Sequence, residues 1–198
     1  MHPCVHARTS PDKPAVIVAE TGEIRTYKEL DEASNRAAQF FRARGLQVED
    51  VVAFMLENTP DFYDLTWAAQ RSGLRYVCLS TRLTADETDY ILENSGAKLF
   101  VMSASLSGLA AQLSTQVERY ALGGEVPGYA SWEDAVAAMS ATPIADERAG
   151  VDMLYSSGTT GRPKGVRVPM PADPAIDQVS TLAMLAVAHY RFNVDSIY

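Results

Sequence analysis

Short apolar runs alternate with helix-type patterns along most of the chain, and this alternation limits the possible folds more than any other feature. Residues 51–56 form a continuous apolar run, which is typical of a strand that is covered on both faces. The same reasoning predicts strands at residues 74–79, 99–102, 117–122 and 151–155, after two short strands at 15–18 and 24–27. Alternating strands and helices favour a layered α/β fold with a mostly parallel sheet and right-handed crossovers.

The predicted helices have recognisable ends. Two begin with a threonine followed three residues later by a glutamate, a pattern that satisfies two backbone N–H groups; the pairs are Thr26 with Glu29, and Thr84 with Glu87. A third helix begins at Thr59-Pro60, where the missing N–H of proline costs nothing. Glycines are predicted to end the three helices, at positions 45, 73 and 96. Further helices are expected at 105–113, 131–139 and 178–189.

Composition narrows the functional classes. The chain has 198 residues and a net charge of -8, and its basic residues are scattered, so nucleic acid is not an expected partner. No apolar run approaches the roughly 20 residues that span a bilayer, so no transmembrane segment is predicted. Two cysteines, Cys4 and Cys78, cannot form a disulfide framework. These features and an amino terminus without the pattern of a signal peptide predict a cytoplasmic protein.

Residues 156–165 carry the strongest chemical signal, directly after the strand predicted at 151–155. Their sequence is Ser-Ser-Gly-Thr-Thr-Gly-Arg-Pro-Lys-Gly. Glycines allow the backbone N–H groups to approach an anion, hydroxyl groups add donors, and Lys164 adds a positive charge. This combination predicts a loop that holds phosphate groups.

A segment of this composition has two other interpretations. A Ser/Gly/Thr stretch is often only a surface loop between two strands. A Walker A loop is excluded, because Pro163 stands where its second glycine belongs and Lys164 is followed by Gly165 instead of Ser or Thr.

The order of residues 156–165 resembles the signature of the adenylate-forming superfamily, which includes acyl-CoA synthetases and peptide-synthetase adenylation domains, and all ten positions agree. Upstream stretches are also similar to this family: residues 26–36, 58–62, 68–77 and 83–98. The resemblance implies that residues 1–198 form the N-terminal portion of the AMP-binding domain, truncated after the phosphate-loop region and without the C-terminal domain. Residues 78 and 80–82, and the lack of a histidine after the loop, depart from the family pattern and leave the subfamily open.

The resemblance implies a ligase that converts a carboxylate and ATP into an acyl-adenylate and pyrophosphate, and then forms a thioester with CoA. Mg²⁺ is expected to accompany ATP, with its protein ligand beyond this chain, and the fatty-acid type of synthetase is favoured. The residues expected to bind the ATP phosphates are Ser156, Ser157, Gly158, Thr159, Thr160, Gly161, Lys164 and Gly165. No catalytic residue is expected in these 198 residues.

The pattern stops within a predicted strand at residues 192–198, so an incomplete domain with exposed apolar surface and possible self-association through that edge is expected. Two alternatives remain: a stand-alone nucleotide-binding module derived from such an enzyme, and an interaction protein whose loop is vestigial. Other residues receive structural interpretations. His2, Cys4 and His6 are assigned to a frayed terminus; Cys78, Trp67 and Trp132 are assigned to the core, and His189 to a half-buried helix position.

Overall fold

A computed structural model describes residues 2–156, 162–178, 181–191 and 193 of the chain. The helices are α1 Cys4–Thr9, α2 Tyr27–Ala43, α3 Pro60–Arg71, α4 Ala85–Ser95, α5 Ser107–Ala110, α6 Trp132–Ala137 and α7 Thr181–Tyr190. The strands are β1 Pro14–Ile17, β2 Ile24–Thr26, β3 Val51–Met55, β4 Arg75–Cys78, β5 Ala97–Ser103, β6 Glu118–Leu122, β7 Ala130–Ser131, β8 Val151–Ser156 and β9 Lys164–Arg167.

Seven strands form one sheet in the order β7-β6-β5-β3-β4-β8-β9. All neighbouring pairs are parallel except β8 and β9, which are antiparallel. The strands β1 and β2 form a separate antiparallel hairpin. The predicted α/β class with a mostly parallel sheet is therefore confirmed.

The central strand β3 is buried at all five positions, as its continuous apolar run predicts. Because side chains alternate along a strand, Val52 and Phe54 join one core with α2, α3 and α6. Val51, Ala53 and Met55 join a second core on the opposite face with α4 and α5. Helices thus cover both faces of the sheet, and the layered arrangement predicted from the sequence is present.

The ends predicted for α2, α3 and α4 are confirmed, whereas the helices expected at 105–113 and 131–139 are shorter, at Ser107–Ala110 and Trp132–Ala137. Both threonine–glutamate pairs form complete capping boxes, at Thr26 for α2 and at Thr84 for α4. Gly96 ends α4 in a left-handed conformation with a φ of 72°. The strand β9 and the helix α1 were not predicted, because β9 lies within the loop-like Gly/Pro sequence and α1 has only six residues.

The expectation of a frayed amino terminus is wrong. His2 and Cys4 are buried, with only 2% and 3% of their surfaces exposed. The Nε2–H of His2 donates to the Trp67 carbonyl oxygen at 3.1 Å, and Nδ1 accepts the Cys4 N–H at 3.2 Å. The rings of His2 and Trp67 also pack edge to face, with their centroids 5.0 Å apart. Tertiary packing against α3, which the local sequence does not reveal, orders this segment.

Two further assignments are corrected. Cys78 is exposed at the end of β4, where strand alternation turns it away from the buried Val77. His189 is exposed on α7, as are the apolar residues Met184, Leu185 and Val187 of that helix. Trp132 is buried as predicted, whereas Trp67 is only half-buried. The strand predicted at 192–198 lies outside the described residues except for Asn193.

Candidate functional site

The 156–165 segment begins where β8 reaches the carboxyl edge of the parallel sheet. β8 runs parallel to β4, with Val151 beside Arg75, and ends at Ser156. In open α/β sheets ligands bind at this edge, outside the carboxyl ends of the strands. The fold therefore brings the predicted phosphate-binding segment to the edge that commonly forms binding sites.

β9 returns from this segment antiparallel to β8, and the two strands form the β8–β9 hairpin. The register places Ser156 opposite Lys164, and Tyr155 opposite Gly165. The hydroxyl-bearing start of the motif and its lysine are therefore neighbours, although seven residues separate them in the sequence. Both residues are exposed at the end of the hairpin.

The structure describes three of the eight predicted phosphate-binding residues: Ser156, Lys164 and Gly165. The other five, Ser157, Gly158, Thr159, Thr160 and Gly161, lie outside the described residues. The contacts of the central part of the motif therefore remain a prediction from its sequence.

Gly165 has a packing role that the sequence did not indicate. A Cβ atom added there would lie 2.6 Å from Cε of Met153, 2.9 Å from Cζ of Tyr155 and 3.0 Å from the Tyr155 hydroxyl oxygen. These distances are shorter than ordinary van der Waals contacts, so the Tyr155 ring crosses β9 only because residue 165 has no side chain. A Cβ contact of this kind can be found only once the strand pairing is known.

Charge at the hairpin favours anions. Residues 156–167 contain Arg162, Lys164 and Arg167 and no acidic residue, whereas the whole chain has a net charge of -8. Concentrated positive charge next to backbone N–H groups attracts phosphate groups, and the effect weakens as salt increases. Residues 156–167 are thus a locally basic segment of an acidic protein.

Three contacts connect the hairpin to the last turns of α4. The Tyr155 hydroxyl donates to Oδ1 of Asn94 at 2.8 Å, and Nη2 of Arg167 donates to the Ser95 carbonyl oxygen at 3.1 Å. The Arg162 guanidinium lies 5.1 Å from the centroid of the Tyr90 ring, within the range of cation–π attraction. Sequence reasoning missed these contacts because α4 is more than fifty residues upstream.

The segment before β8 approaches the backbone at the end of α3 very closely. The Gly150 N–H donates to the Gln70 carbonyl oxygen at 2.6 Å, and the Val151 N–H donates to the Leu74 carbonyl oxygen at 3.1 Å. A Cβ at position 150 would lie 2.3 Å from the Leu74 oxygen. Glycine is therefore required at position 150 for β8 to start in this register.

A buried arginine holds the same segment. Arg71 is completely buried, and its Nε lies 2.9 Å from Oε1 of Glu147. Its Nη2 donates to Oδ1 of Asp31 at 2.8 Å, and further bonds reach Ser34 and Asn35. Because a buried charge is stable only when it is paired, this cluster holds α2, α3 and residue 147 together.

A second arginine holds the other end of the hairpin. Arg75 is buried on β4, and its Nη1 donates to the Val168 carbonyl oxygen at 2.7 Å, just after β9. Its Nη2 lies 3.1 Å from Oε2 of Glu49. Both ends of the β8–β9 hairpin are thus held by buried arginines.

A separate cavity of about 200 Å³ lies among β2, α2, α3, β6 and α6. Its lining contains both basic and acidic side chains, and Nη1 of Arg25 lies 2.5 Å from Oδ2 of Asp64. Burial raises the pKa of Asp64 to about 7, and Arg25 opposes this shift. None of the described residues of the β8–β9 hairpin lines this cavity, so it is separate from Ser156, Lys164 and Gly165.

The described residues contain no group of three or more His, Cys, Asp or Glu side chains that could hold a metal ion. In the same part of the chain, no helix is long and apolar enough to cross a membrane.

Comparisons with known proteins agree with the motif. Residues 5–192 match the family described as AMP-binding enzyme. The chain is 31% identical over 163 residues to "Long-chain-fatty-acid--CoA ligase FadD13" of Mycobacterium tuberculosis, covering 81% of this chain and 32% of that protein. It is 33% identical over 161 residues to "Tyrocidine synthase 3" of Brevibacillus parabrevis, covering 81% of this chain and 2% of that protein.

The fold is similar to that of an acyl-CoA synthetase from Brucella canis, with a TM-score of 0.73 and 26% identity. This match covers 86% of the chain and 33% of the Brucella protein. The chain spans about a third of the length of FadD13 and of the Brucella protein, and a far smaller share of the tyrocidine synthase.

Proposed function

The chain belongs to the family of AMP-binding enzymes, an adenylate-forming ligase family, and from that premise we propose that its residues 156–165 hold the phosphates of ATP during carboxylate activation. The observation that carries the proposal is the register of the β8–β9 hairpin, in which Ser156 lies opposite Lys164. This pairing directs a hydroxyl donor and an ammonium group toward the same end of the hairpin. Such a pair suits a polyphosphate, which offers several anionic oxygens at once.

In the proposed reaction a carboxylate oxygen attacks the α-phosphorus of ATP. The bond from that phosphorus to the bridging oxygen breaks, and pyrophosphate leaves with the electron pair. Negative charge therefore grows on the β- and γ-phosphates, and fixed donors at this position lower the barrier. We assign this role to the motif, with Ser156 and Lys164 donating from its two ends. The thiol of CoA then displaces AMP to give the thioester.

The eight residues proposed for this role are Ser156, Ser157, Gly158, Thr159, Thr160, Gly161, Lys164 and Gly165. Gly165 would contribute chiefly by admitting the Tyr155 ring. Mg²⁺ is proposed to enter with ATP. No metal-binding cluster is available among the described residues, so no step of the reaction is assigned to a metal ligand of this chain.

We propose that residues 1–198 form the N-terminal portion of the adenylation domain, since the family pattern covers residues 5–192 and the chain spans 32% of FadD13. Acyl transfer to CoA is then a property of a longer protein, for which we propose a fatty acid as the carboxylate. The similarity to FadD13 supports this substrate class. ATP is abundant in the cytoplasm, so we propose that compartment.

Titration of the full-length gene product with ATP·Mg²⁺ by calorimetry tests phosphate binding. We expect binding to weaken by about tenfold or more in Lys164→Ala, the size expected for loss of a hydrogen bond between charged groups, and to be partly restored in Lys164→Arg. Lys28→Ala is the matched control, because Lys28 is also exposed but lies on α2. Absence of binding, or equal weakening by both alanine variants, would contradict the proposal.

A stand-alone nucleotide-binding module is the second candidate, favoured by the ordered base of the hairpin within this chain. ATP–pyrophosphate exchange with a panel of carboxylates, measured on the full-length gene product, separates the two. Exchange that depends on a fatty acid supports the ligase. Nucleotide binding without any exchange supports the module.

A further inference from the structure

We infer that the last two turns of α4 position the phosphate-binding segment, with Tyr90 acting as a positioning residue through Arg162. This inference rests on the proposed function of residues 156–165. It goes beyond that function because α4 contributes no residue to the motif.

The two strands of the β8–β9 hairpin are each fixed to α4 by one polar contact. On the incoming strand, the Tyr155 hydroxyl bonds to Asn94 at 2.8 Å. On the outgoing strand, Arg167 bonds to the carbonyl oxygen of Ser95 at 3.1 Å. Because the contacts lie on opposite strands, they hold both strands of the hairpin against α4.

The third contact lies within the motif itself. Arg162 stacks on the Tyr90 ring with 5.1 Å between its Cζ atom and the ring centroid. Arg162 is joined to Lys164 only through Pro163, whose ring fixes one backbone dihedral angle. The position of Arg162 on Tyr90 therefore limits where Lys164 can start β9.

The two α4 side chains that contact the hairpin are spaced by about one helical turn. Tyr90 and Asn94 are four residues apart, so they lie on one face of the helix. The neighbouring residues Ile91 and Leu92 are buried in the core, and Gly96 ends the helix in a defined conformation. A helix fixed in this way is a rigid support for Tyr155, Arg162 and Arg167, which contact it.

Tyr90 contacts Arg162 through the face of its aromatic ring, so its hydroxyl group is not required for this interaction. Cation–π attraction at an exposed site is worth roughly 0.5–1 kcal/mol, which corresponds to about a 2- to 5-fold change in an equilibrium. Tyr90→Phe keeps the face, whereas Tyr90→Leu keeps the bulk and removes the face. Arg162→Met removes the cation and keeps a long side chain.

The experiment has a nucleotide-free arm and a ligand arm. In the first, hydrogen exchange is measured for the backbone amides of Arg162, Lys164 and Gly165. The proteins compared are the wild type, Tyr90→Phe, Tyr90→Leu and the control Tyr63→Leu, since Tyr63 is exposed on α3. We expect exchange to be about 2- to 5-fold faster in Tyr90→Leu alone. Equal exchange in all four proteins would overturn the inference, whatever the ligand does.

In the ligand arm, pyrophosphate with Mg²⁺ is titrated into the same proteins, into Arg162→Met and into the double variant. We expect Tyr90→Leu to weaken affinity about 2- to 5-fold, and the double variant to be no weaker than Arg162→Met. Fully additive losses would show that Tyr90 does not act through Arg162, and would overturn the inference.

The same titration distinguishes a failure of the proposed phosphate binding from a failure of the positioning role of Tyr90. If Lys164→Ala binds pyrophosphate as the wild type does, the proposed function fails, while faster exchange in Tyr90→Leu would still support the anchoring of the segment by α4. If Lys164→Ala loses affinity and Tyr90→Leu changes neither exchange nor affinity, the proposed function stands and the positioning role is wrong. Thermal unfolding of Tyr90→Phe and Tyr90→Leu checks that both variants fold.

Discussion

Ser156 and Lys164 lie opposite each other as the last antiparallel pair of β8 and β9. The two ends of the sequence motif are therefore closed by strand pairing, and the residues between them must form the connection. This pairing explains how a serine and a lysine eight positions apart in the sequence can bind the same anionic group. It also makes the stability of the hairpin a requirement for the proposed site.

Replacing Gly165 with alanine is expected to destabilise the protein. The new methyl group would meet the Tyr155 ring, which the hydrogen bond to Asn94 holds in place. Overpacking of this kind costs about 1–3 kcal/mol, and urea denaturation measures it. Gly108→Ala is the control, because no atom of the described residues lies within 4 Å of its added Cβ.

A double-variant cycle sharpens that prediction. In an Asn94→Ala background the Tyr155 ring can move, so Gly165→Ala should cost less there than in the wild type. An equal cost in both backgrounds would mean that the Asn94 bond does not hold the ring.

Replacing Arg71 with methionine is expected to lower the free energy of unfolding by about 3–5 kcal/mol. The substitution leaves the carboxylates of Asp31 and Glu147 without their buried partner. Arg44→Met is the matched control, because its pair with Glu118 is exposed and should matter little. Chemical denaturation of both variants provides the measurement, and similar losses would argue against the cluster at Arg71.

The buried His2 predicts a loss of stability in acid. Burial, followed by the charge of Arg71, lowers the pKa of His2 to about 3, whereas the unfolded chain has a value near 6.5. Between these values the unfolded state binds a proton that the folded state does not, so stability falls as the pH falls below about 6.5. From pH 8 to pH 5, His2 alone is expected to contribute a loss of roughly 2 kcal/mol.

The contribution of His2 is isolated by comparison with a variant. His2→Gln removes this titration but leaves the opposing pH effect of Asp64 unchanged. Urea denaturation at pH 5 and pH 8 should therefore show that acidification changes the free energy of unfolding more favourably in the variant than in the wild type, by roughly 2 kcal/mol. An equal change in both proteins would contradict the role of His2.

The exposed apolar residues of the hairpin predict self-association of this chain. Leu154 and Val166 are paired in register and are 64% and 51% exposed, and Val168 follows them at 40%. Leu154→Lys with Val166→Lys should reduce the apparent mass in concentration-dependent light scattering. Ile24→Lys is the control, since Ile24 is also 51% exposed but lies on β2. A wild type that stays monomeric at high concentration would contradict the prediction.

Much of the architecture followed from local patterns. The continuous apolar run at β3, the capping boxes at Thr26 and Thr84, and the terminal glycine at position 96 each act within a few residues, so they can be read directly. The order of residues 156–165 carried the family assignment in the same way, and the match over residues 5–192 confirms it.

Other features depend on partners far away in the sequence. The amino terminus is ordered because His2 packs on Trp67, and Cys78 is exposed because of its place at the end of β4. The strand β9 was missed because its stability comes from pairing with β8 rather than from the β-propensity of its own four residues.

By itself, the sequence determined the α/β class, most strand and helix positions, the family and the segment proposed to hold phosphates. Only the tertiary structure decided that Ser156 faces Lys164, that Gly165 must admit the Tyr155 ring, and that Tyr90 and Asn94 of α4 support the hairpin. The physical reason is range. Propensity, capping and periodicity act over one or two turns of chain, whereas strand register and side-chain contacts join residues about sixty positions apart.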